Sequence, residues 1–332
     1  MNTFVPWRLP AEWEPQSSVL FVWPRDPLTW PDRLPEARAA YAEAVRAVAL
    51  HQDVDLVVHP DLLANAKAAL AGAERVRFWP TIHQDSWVRD YGPLTLVDDK
   101  GNRRLLKFEF DAWGGKYESL LADDAVVERL EKAGCLPEAE RVPFVLEGGA
   151  VETDGQGTFL ATESVCEGRG QTVAEHEAAL REHLGAKHII WLGKGIQGDD
   201  TDGHIDTLTR FVRPGTVVTT VAPEGHPDHE ALAENRRRLG SARDASGRAL
   251  EVVELPLPPA QATEDGTPLP AGHANFLITN GCVLVPSFGG NSDVDAASIL
   301  ERLVGRKAVL VDHRALIWGF GGIHCLSMQM PQ

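Results

Sequence analysis

The chain has 332 residues, 43% apolar and 24% charged, the proportions of a soluble globular protein whose core needs no staples. Its formal net charge of −16 argues against nucleic acid, whose phosphates call for a basic face, and weakly favours a cationic partner, although solubility alone accounts for such a charge. Residues 1–18 hold no basic segment followed by an apolar run, and no stretch is long enough to span a bilayer, so the expectation is a cytoplasmic protein with no signal peptide and no membrane contact.

In chain order, 19–24 reads as a buried strand, 35–51 as a helix rich in Ala, Glu and Arg, 54–59 as a strand and 62–71 as a short helix. A pattern then repeats: strand 93–97, turn, strand 105–110, helix 123–133, strand 142–146. The second unit turns at Asp154-Gly155-Gln156-Gly157, returns on strand 158–162, and continues through helix 173–184 to strand 188–192. The third has a strand pair across 205–221, helix 229–239 and strand 250–255. The fourth has strands 276–278 and 283–285 about Asn280-Gly281, a strong hairpin signal, then helix 294–304 and strand 308–311. The chain ends on a lone strand, 323–330. Pairing it with the lone first strand completes a fifth hairpin-helix-strand unit. Five such units imply a closed radial array in one domain, 1–332; the alternative is an ordinary mixed α/β sheet. Residues 256–272 read as a loop or a lid.

The stretch Gly198-Asp199-Asp200-Thr201-Asp202-Gly203-His204-Ile205-Asp206 concentrates acids and a histidine at the entrance to a strand. Residues two apart on a strand share a side, so His204 and Asp206 are expected to face one space. The bland reading is a solvated strand entry whose acids cap turns. Comparable entries elsewhere also carry reactive groups: Asp90 before strand 93–97, Glu147 in Leu146-Glu147-Gly148-Gly149, Asn275 before the fourth hairpin, and Cys325 in Gly321-Gly322-Ile323-His324-Cys325. If the units surround an axis, these positions converge on it.

A cysteine, a histidine and paired carboxylates suit attack on a cationic carbon. A thiol is a weak nucleophile until deprotonated, a histidine moves protons near neutrality, and carboxylates grip a planar guanidinium. A bound cation would also lower the thiol's pKa. Cys135, Cys166 and Cys282 read as small core residues, and the four scattered cysteines form no Cys-x-x-Cys pair, so neither disulfides nor a zinc knuckle are expected. Arg89 reads as the partner of an acid inside the fold. Trp87 and Trp113 read as core aromatics or as stacking surfaces for a guanidinium.

These residues carry a resemblance. The chain resembles the agmatine deiminase and bacterial-type (Porphyromonas-type) peptidylarginine deiminase family, within the guanidine-modifying superfamily, nearly end to end. The matching stretches are Leu9-Pro10-Ala11-Glu12-Trp13-Glu14-Pro15, the Asp85 to Pro93 stretch, Phe110-Asp111-Ala112-Trp113-Gly114-Gly115, Leu146-Glu147-Gly148-Gly149, the Thr201 to Asp206 stretch, and Gly322-Ile323-His324-Cys325. The resemblance implies an α/β five-bladed pseudo-symmetric propeller (pentein) with its site on the axis, and no cofactor or metal. It implies that Cys325 is the nucleophile, His204 the general acid and base, Asp90 and Asp206 the guanidinium-binding carboxylates, and Glu147 an acid beside them. Three stretches depart from the family's usual residues: Gly272-His273-Ala274 for Ala-Ser-Tyr, Ser327-Met328-Gln329 for Thr-Gln-Gln, and 162–171, which lacks Asn-Arg-Asn-Pro.

The expected reaction is hydrolysis of a guanidine to a ureido group and ammonia, with agmatine the preferred substrate over arginine, peptidylarginine or another alkylguanidine. Asp85 or Asp200 is expected to meet the ammonium end, Trp87 and Trp113 to pack along the substrate, and Asn275 to bind it. Amidino transfer to an amine, a metal hydrolase using Asp200, His204 and Asp206, and a binding protein with a degenerate site are the rivals. A homodimer is the assembly considered.

Overall fold

Sheets of three or four strands organise the computed structural model, which describes residues 7–332. Part of the 1–18 stretch read above therefore lies outside the described residues. Four sheets share one plan. In the first, Leu94–Val97 pairs antiparallel with Arg103–Glu109, which pairs parallel with Glu140–Val145. Glu152–Thr153, Thr158–Thr162 and His188–Leu192 repeat the plan. So do Thr209–Arg213, Thr216–Val221 and Glu251–Pro256, and then Leu277–Ile278, Cys282–Ser287 and Lys307–Asp312. A helix makes each parallel crossover, as the geometry of a parallel pair requires. The remaining sheet joins the chain's ends. Ser327–Pro331 pairs antiparallel with Gln16–Val22, which pairs parallel with Asp53–Val58, as expected.

The first helix, Leu34–Ala49, shows how such a unit holds together. Pro35 opens it, and Ala37, Tyr41, Ala44, Val45 and Val48, spaced three and four apart, form its buried face. Tyr41 accepts from Val22 N at 2.9 Å and donates to Leu326 O at 3.2 Å, tying the first strand to the loop that carries Cys325. No described helix is long and apolar enough to cross a membrane.

Several elements differ from expectation. Val76–Pro80 is a further strand, on the edge beside Asp53–Val58. Glu163–Gly168 is a short helix. The loop 256–272 contains a small hairpin, Gln261–Ala262 against Pro268–Leu269. Ile205–Thr207 is a 3₁₀ turn rather than strand, so His204 and Asp206 are not brought together by strand alternation. The last strand likewise begins at Ser327, after Cys325. In both places a hydroxyl bonds backward to the main chain: Thr207 to His204 O at 2.8 Å and Ser327 to Ile323 O at 2.8 Å. Such local bonds compete with a strand ladder.

Candidate active site

Asp90, Glu147, His204 with Asp206, and Asn275 each lie just before the first strand of a hairpin, Cys325 lies just before the strand Ser327–Pro331 that pairs with Gln16–Val22, and these loops touch in sequence. Arg89 N donates to Cys325 O at 3.2 Å. Gly149 N donates to Asp90 Oδ1 at 3.1 Å. His204 lies between Asp90 and Glu147, Nδ1 3.7 Å from Asp90 Oδ1 and Nε2 3.9 Å from Glu147 Oε2. Asn275 Nδ2 reaches Asp206 O at 3.5 Å and Cys325 Sγ at 3.1 Å. The run of contacts returns to the cysteine where it began.

Left-handed backbone places several of these groups. Ala112, Trp113, Gly114 and Gly115 all have positive φ, a tight turn that costs strain at its two non-glycine residues and aims the Trp113 indole at Asp90 Oδ2, 3.0 Å away. Asp202 and Gly203 also have positive φ, just before His204.

The electrostatics are those of an anionic hole. Burial pushes the Asp90 carboxyl up to about 6; Asp206 and Glu147 add to the rise while His204 opposes it. Burial alone would push His204 down, but Asp90, Glu147 and Asp206 outweigh it and raise the imidazole to about 9. Burial likewise opposes ionisation of Glu147, yet His204 and Arg169 hold that carboxyl at about 2. Burial pushes the Cys325 thiol well above its ordinary range, and the charges of Asp206 and Asp90 add to it. Glu147 Oε2, Asp206 Oδ1 and both nitrogens of His204 have no hydrogen-bond partner among the described residues. Four orphaned polar atoms around one spot is an expensive arrangement unless a ligand completes it.

A cavity of about 630 Å³ opens onto this centre. Cys325 and Asp90 line it, with Trp87, Trp113 and Asp200, while His204, Glu147 and Asp206 sit fully buried behind them. Seven acids line the cavity against one cation, Arg33, which lies over the Trp318 ring at 4.9 Å. The segment 263–267, part of the loop read as a lid, forms part of the wall.

Some expected substrate ligands are already engaged. Asn275 gives its amide to Cys325 Sγ, and its Oδ1 accepts from His324 N at 3.0 Å, so it braces the nucleophile's loop rather than facing the cavity. Asp85 lines the cavity but accepts from Thr29 at 2.6 Å, Ser86 N at 2.8 Å and Trp87 Nε1 at 2.9 Å. Burial raises it to about 7, with Asp123 adding, which suits it poorly to hold an ammonium. Asp200, half-buried at the cavity wall, is raised by burial too, with Asp199 adding, but among the described residues its carboxylate accepts only from Tyr117 OH, at 2.5 Å, which makes it the better placed acid. His273 and Met328, two of the departures, are buried and away from the cavity: His273 Nδ1 lies 2.9 Å from Pro286 O, and Met328 packs against Arg89. No group of three His, Cys, Asp or Glu side chains among the described residues has metal-holding geometry. Asp200 and Asp206 point to different partners, Tyr117 and His324.

Arg169 was not foreseen as a site residue. Its side chain is fully buried; Nε donates to Glu147 Oε1 at 2.5 Å and Nη1 to Asp202 Oδ2 at 2.7 Å. In the sequence its stretch, 162–171, reads only as a departure from the family's usual residues, so no local signal singles it out. Glu12 and His324 were quoted above only as parts of matching stretches, yet they bond to each other, and His324 bonds to Asp206.

A family model described as Porphyromonas-type peptidyl-arginine deiminase matches residues 8–331. The agmatine deiminase of Stutzerimonas stutzeri is 36% identical, the match covering 97% of this chain and 95% of that protein. Among solved structures, the agmatine deiminase of Enterococcus faecalis gives a TM-score of 0.91 at 30% identity, covering 100% of this chain and 99% of that one. A C. jejuni agmatine deiminase with a Cys-to-Ser replacement, solved with substrate bound, gives 0.90 at 29% identity, covering 100% and 98%. Both the match along the sequence and the superposition run end to end: the chain belongs to the Porphyromonas-type peptidyl-arginine deiminase family.

Proposed function

We propose that the chain hydrolyses agmatine to N-carbamoylputrescine and ammonia through an amidino-cysteine intermediate. The observation that carries this reading is the set of orphaned acceptors beside Cys325: Glu147 Oε2 and Asp206 Oδ1, with Asp90 adjoining. A guanidinium brings several N–H donors and one positive charge to a place short of both. Agmatine deiminases among the relatives, one of them solved with substrate, support the same choice.

In this reading the five sheets are the blades of a single five-bladed α/β propeller that takes in the described residues 7–332, the first six of the domain expected over 1–332 lying outside them, and the ring of pre-strand loops is its axis. Asp90 and Asp206 take the guanidinium, Asp200 the ammonium, and Trp87 and Trp113 the chain between. The bound cation offsets the carboxylate charges that raise the Cys325 thiol, so on binding the thiol gives its proton to water in the cavity and substrate promotes its own attack. The thiolate sulfur bonds to the guanidinium carbon. The carbon's bond to a terminal nitrogen then breaks, and that nitrogen leaves as ammonia with a proton from His204. Water returns a proton to His204 and attacks the amidino carbon; the carbon–sulfur bond breaks and the ureido product leaves. Arg169 holds one Glu147 oxygen and leaves the other facing His204.

The test is a substrate panel. Agmatine is expected to exceed free arginine at least about tenfold in kcat/KM, about 1.4 kcal/mol of transition-state binding, because arginine's carboxylate would enter a wall of acids. Arginine or a blocked peptidylarginine as the better substrate would overturn the assignment. Transfer of the amidino group to glycine or ornithine would replace hydrolysis by amidino transfer.

The pH profile follows from the same groups. Asp90 must be ionised to bind the cation, so kcat/KM is expected to fall as pH drops through about 6. His204 must hold its proton for ammonia to leave, so kcat/KM falls again as pH rises through about 9. A rate profile flat from about pH 5 to 10 would contradict both roles.

A further inference from the structure

Behind the reacting groups lies a second set of buried charges that the chemistry above leaves unused. His324, beside Cys325, is 2% exposed. Both of its ring nitrogens meet carboxylates: Nδ1 lies 2.6 Å from Asp206 Oδ2 and Nε2 lies 2.7 Å from Glu12 Oε2. A neutral imidazole carries one N–H. Its other nitrogen would turn a lone pair on a carboxylate oxygen at hydrogen-bonding distance. The two contacts coexist only if the ring is an imidazolium or one acid is protonated.

The surroundings favour the imidazolium. Arg210, fully buried, donates from Nη2 to Glu12 Oε2 at 2.8 Å and from Nε to Glu152. Arg89 Nη2 lies 3.8 Å from Glu12 Oε2, and its Nε donates to His324 O at 3.2 Å. Three acids, Glu12, Glu152 and Asp206, thus face two arginines and His324; burial pushes Glu152 up to about 7 against the pull of Arg210, so the two short carboxylate contacts of the ring, rather than the charge count, carry the assignment. Burial opposes ionisation of Glu12 and Asp206. Arg210 and His324 outweigh it at Glu12, as His324 and His204 do at Asp206, so both carboxyls stay below the usual range. A lone buried charge is costly, whereas a paired and hydrogen-bonded one persists.

Resting on the reading of Asp206 as a guanidinium ligand, we propose that His324 is a fixed imidazolium and a positioning residue. Clamped by Glu12, it occupies Asp206 Oδ2, keeps that carboxylate ionised and leaves Oδ1 for the substrate. Asp206 Oδ1 has no partner among the described residues, as this division of labour requires. The charged and titratable groups facing the pair are Arg89, Arg210, Glu152 and Cys325 around His324, and His204, Asp90 and Cys325 around Asp206. The chain's first motif, 9–15, thereby reaches the active centre through Glu12.

Nitrogen NMR of the wild-type protein with labelled histidine tests the charge without reference to activity. His324 is expected to show two protonated ring nitrogens, assigned by their loss in His324→Asn. A neutral ring overturns the proposal. Glu12→Gln keeps the shape and removes the clamp's charge. With the imidazolium weakened, Asp206 holds its charge less firmly, so KM for agmatine is expected to rise about tenfold with kcat little changed, while the acid limb set by Asp90 stays near 6. A folded Glu12→Gln enzyme with the wild-type KM, or with its loss in kcat instead, overturns the proposal. Wild-type protein that shows the imidazolium but releases no ammonia from agmatine sinks the substrate reading and leaves the charge assignment upheld.

Discussion

Cys325→Ala is expected to lower ammonia release from agmatine by about 10⁴-fold or more, since no other group can form the covalent intermediate. Cys135, Cys166 and Cys282 are not among the residues lining the cavity, so no second thiol substitutes. Affinity should survive. The carboxylates that take the guanidinium are untouched, and the thiol of the empty site is held neutral by burial and by Asp206 and Asp90. Calorimetry is therefore expected to give agmatine dissociation constants within about threefold of each other for Cys325→Ala and Cys325→Ser, neither of which forms the amidino-cysteine. Wild-type protein quenched in acid during turnover should carry the mass of agmatine less ammonia on the peptide containing Cys325. An alanine variant that still turns over would remove the cysteine from the chemistry and restore water activation by His204 alone.

Most of the fold was legible because its units repeat. Hairpin turns such as Asn280-Gly281 and Asp154-Gly155-Gln156-Gly157 punctuate apolar runs at regular intervals, and the helix 173–184 with strand 188–192 was placed to the residue. The pairing of the two lone end strands followed from the same count. Val76–Pro80 escaped because an edge strand needs no alternation: it mixes Arg77 with Trp79, ends on a proline and is mostly half-exposed. Its partner on the sheet, Asp55, takes Arg77 in a two-pronged ion pair at 2.8 Å, a long-range contact with no local sequence signal.

The site was legible by position, and only partly by role. Equivalent pre-strand positions brought Asp90, Glu147, His204, Asp206 and Cys325 together, although the strand alternation invoked for His204 and Asp206 does not hold, since Ile205–Thr207 is a turn. What joins them is the approach of separate loops, a tertiary fact. Asn275 illustrates the remaining gap. An amide at such a position can face a ligand or brace a neighbour, and only the 3.1 Å contact with Cys325 Sγ distinguishes the two. Arg169 and Glu12 act from distances of 22 and 194 residues on Glu147 and Asp206 respectively, through charge pairs or a bridging histidine that no local pattern announces.

Gly149→Ala is expected to cut kcat/KM for agmatine by at least about 10²-fold while leaving the fold intact. Gly149 donates its N–H to Asp90 and sits where the reacting groups crowd closest. A methyl group added to it would lie 2.5 Å from His204 Nδ1, 2.9 Å from Asp90 Oδ1 and 3.2 Å from Asp206 Oδ2. Real Cβ atoms do not approach that near, so the imidazole and at least one carboxylate must move by roughly half an ångström to an ångström, and displacements of that order cost about 10²-fold in rate. The backbone itself has no objection, because Gly149 is not among the residues with positive φ. Thermal unfolding should therefore show a folded variant, with the loss concentrated in activity. Because the methyl wedges His204 from Asp90, the imidazole loses part of the charge that raises it, and the alkaline limb of the pH profile should move down from about 9. A folded Gly149→Ala enzyme with wild-type kcat/KM and an unmoved alkaline limb would mean that His204 and Asp90 are not held in their working positions here.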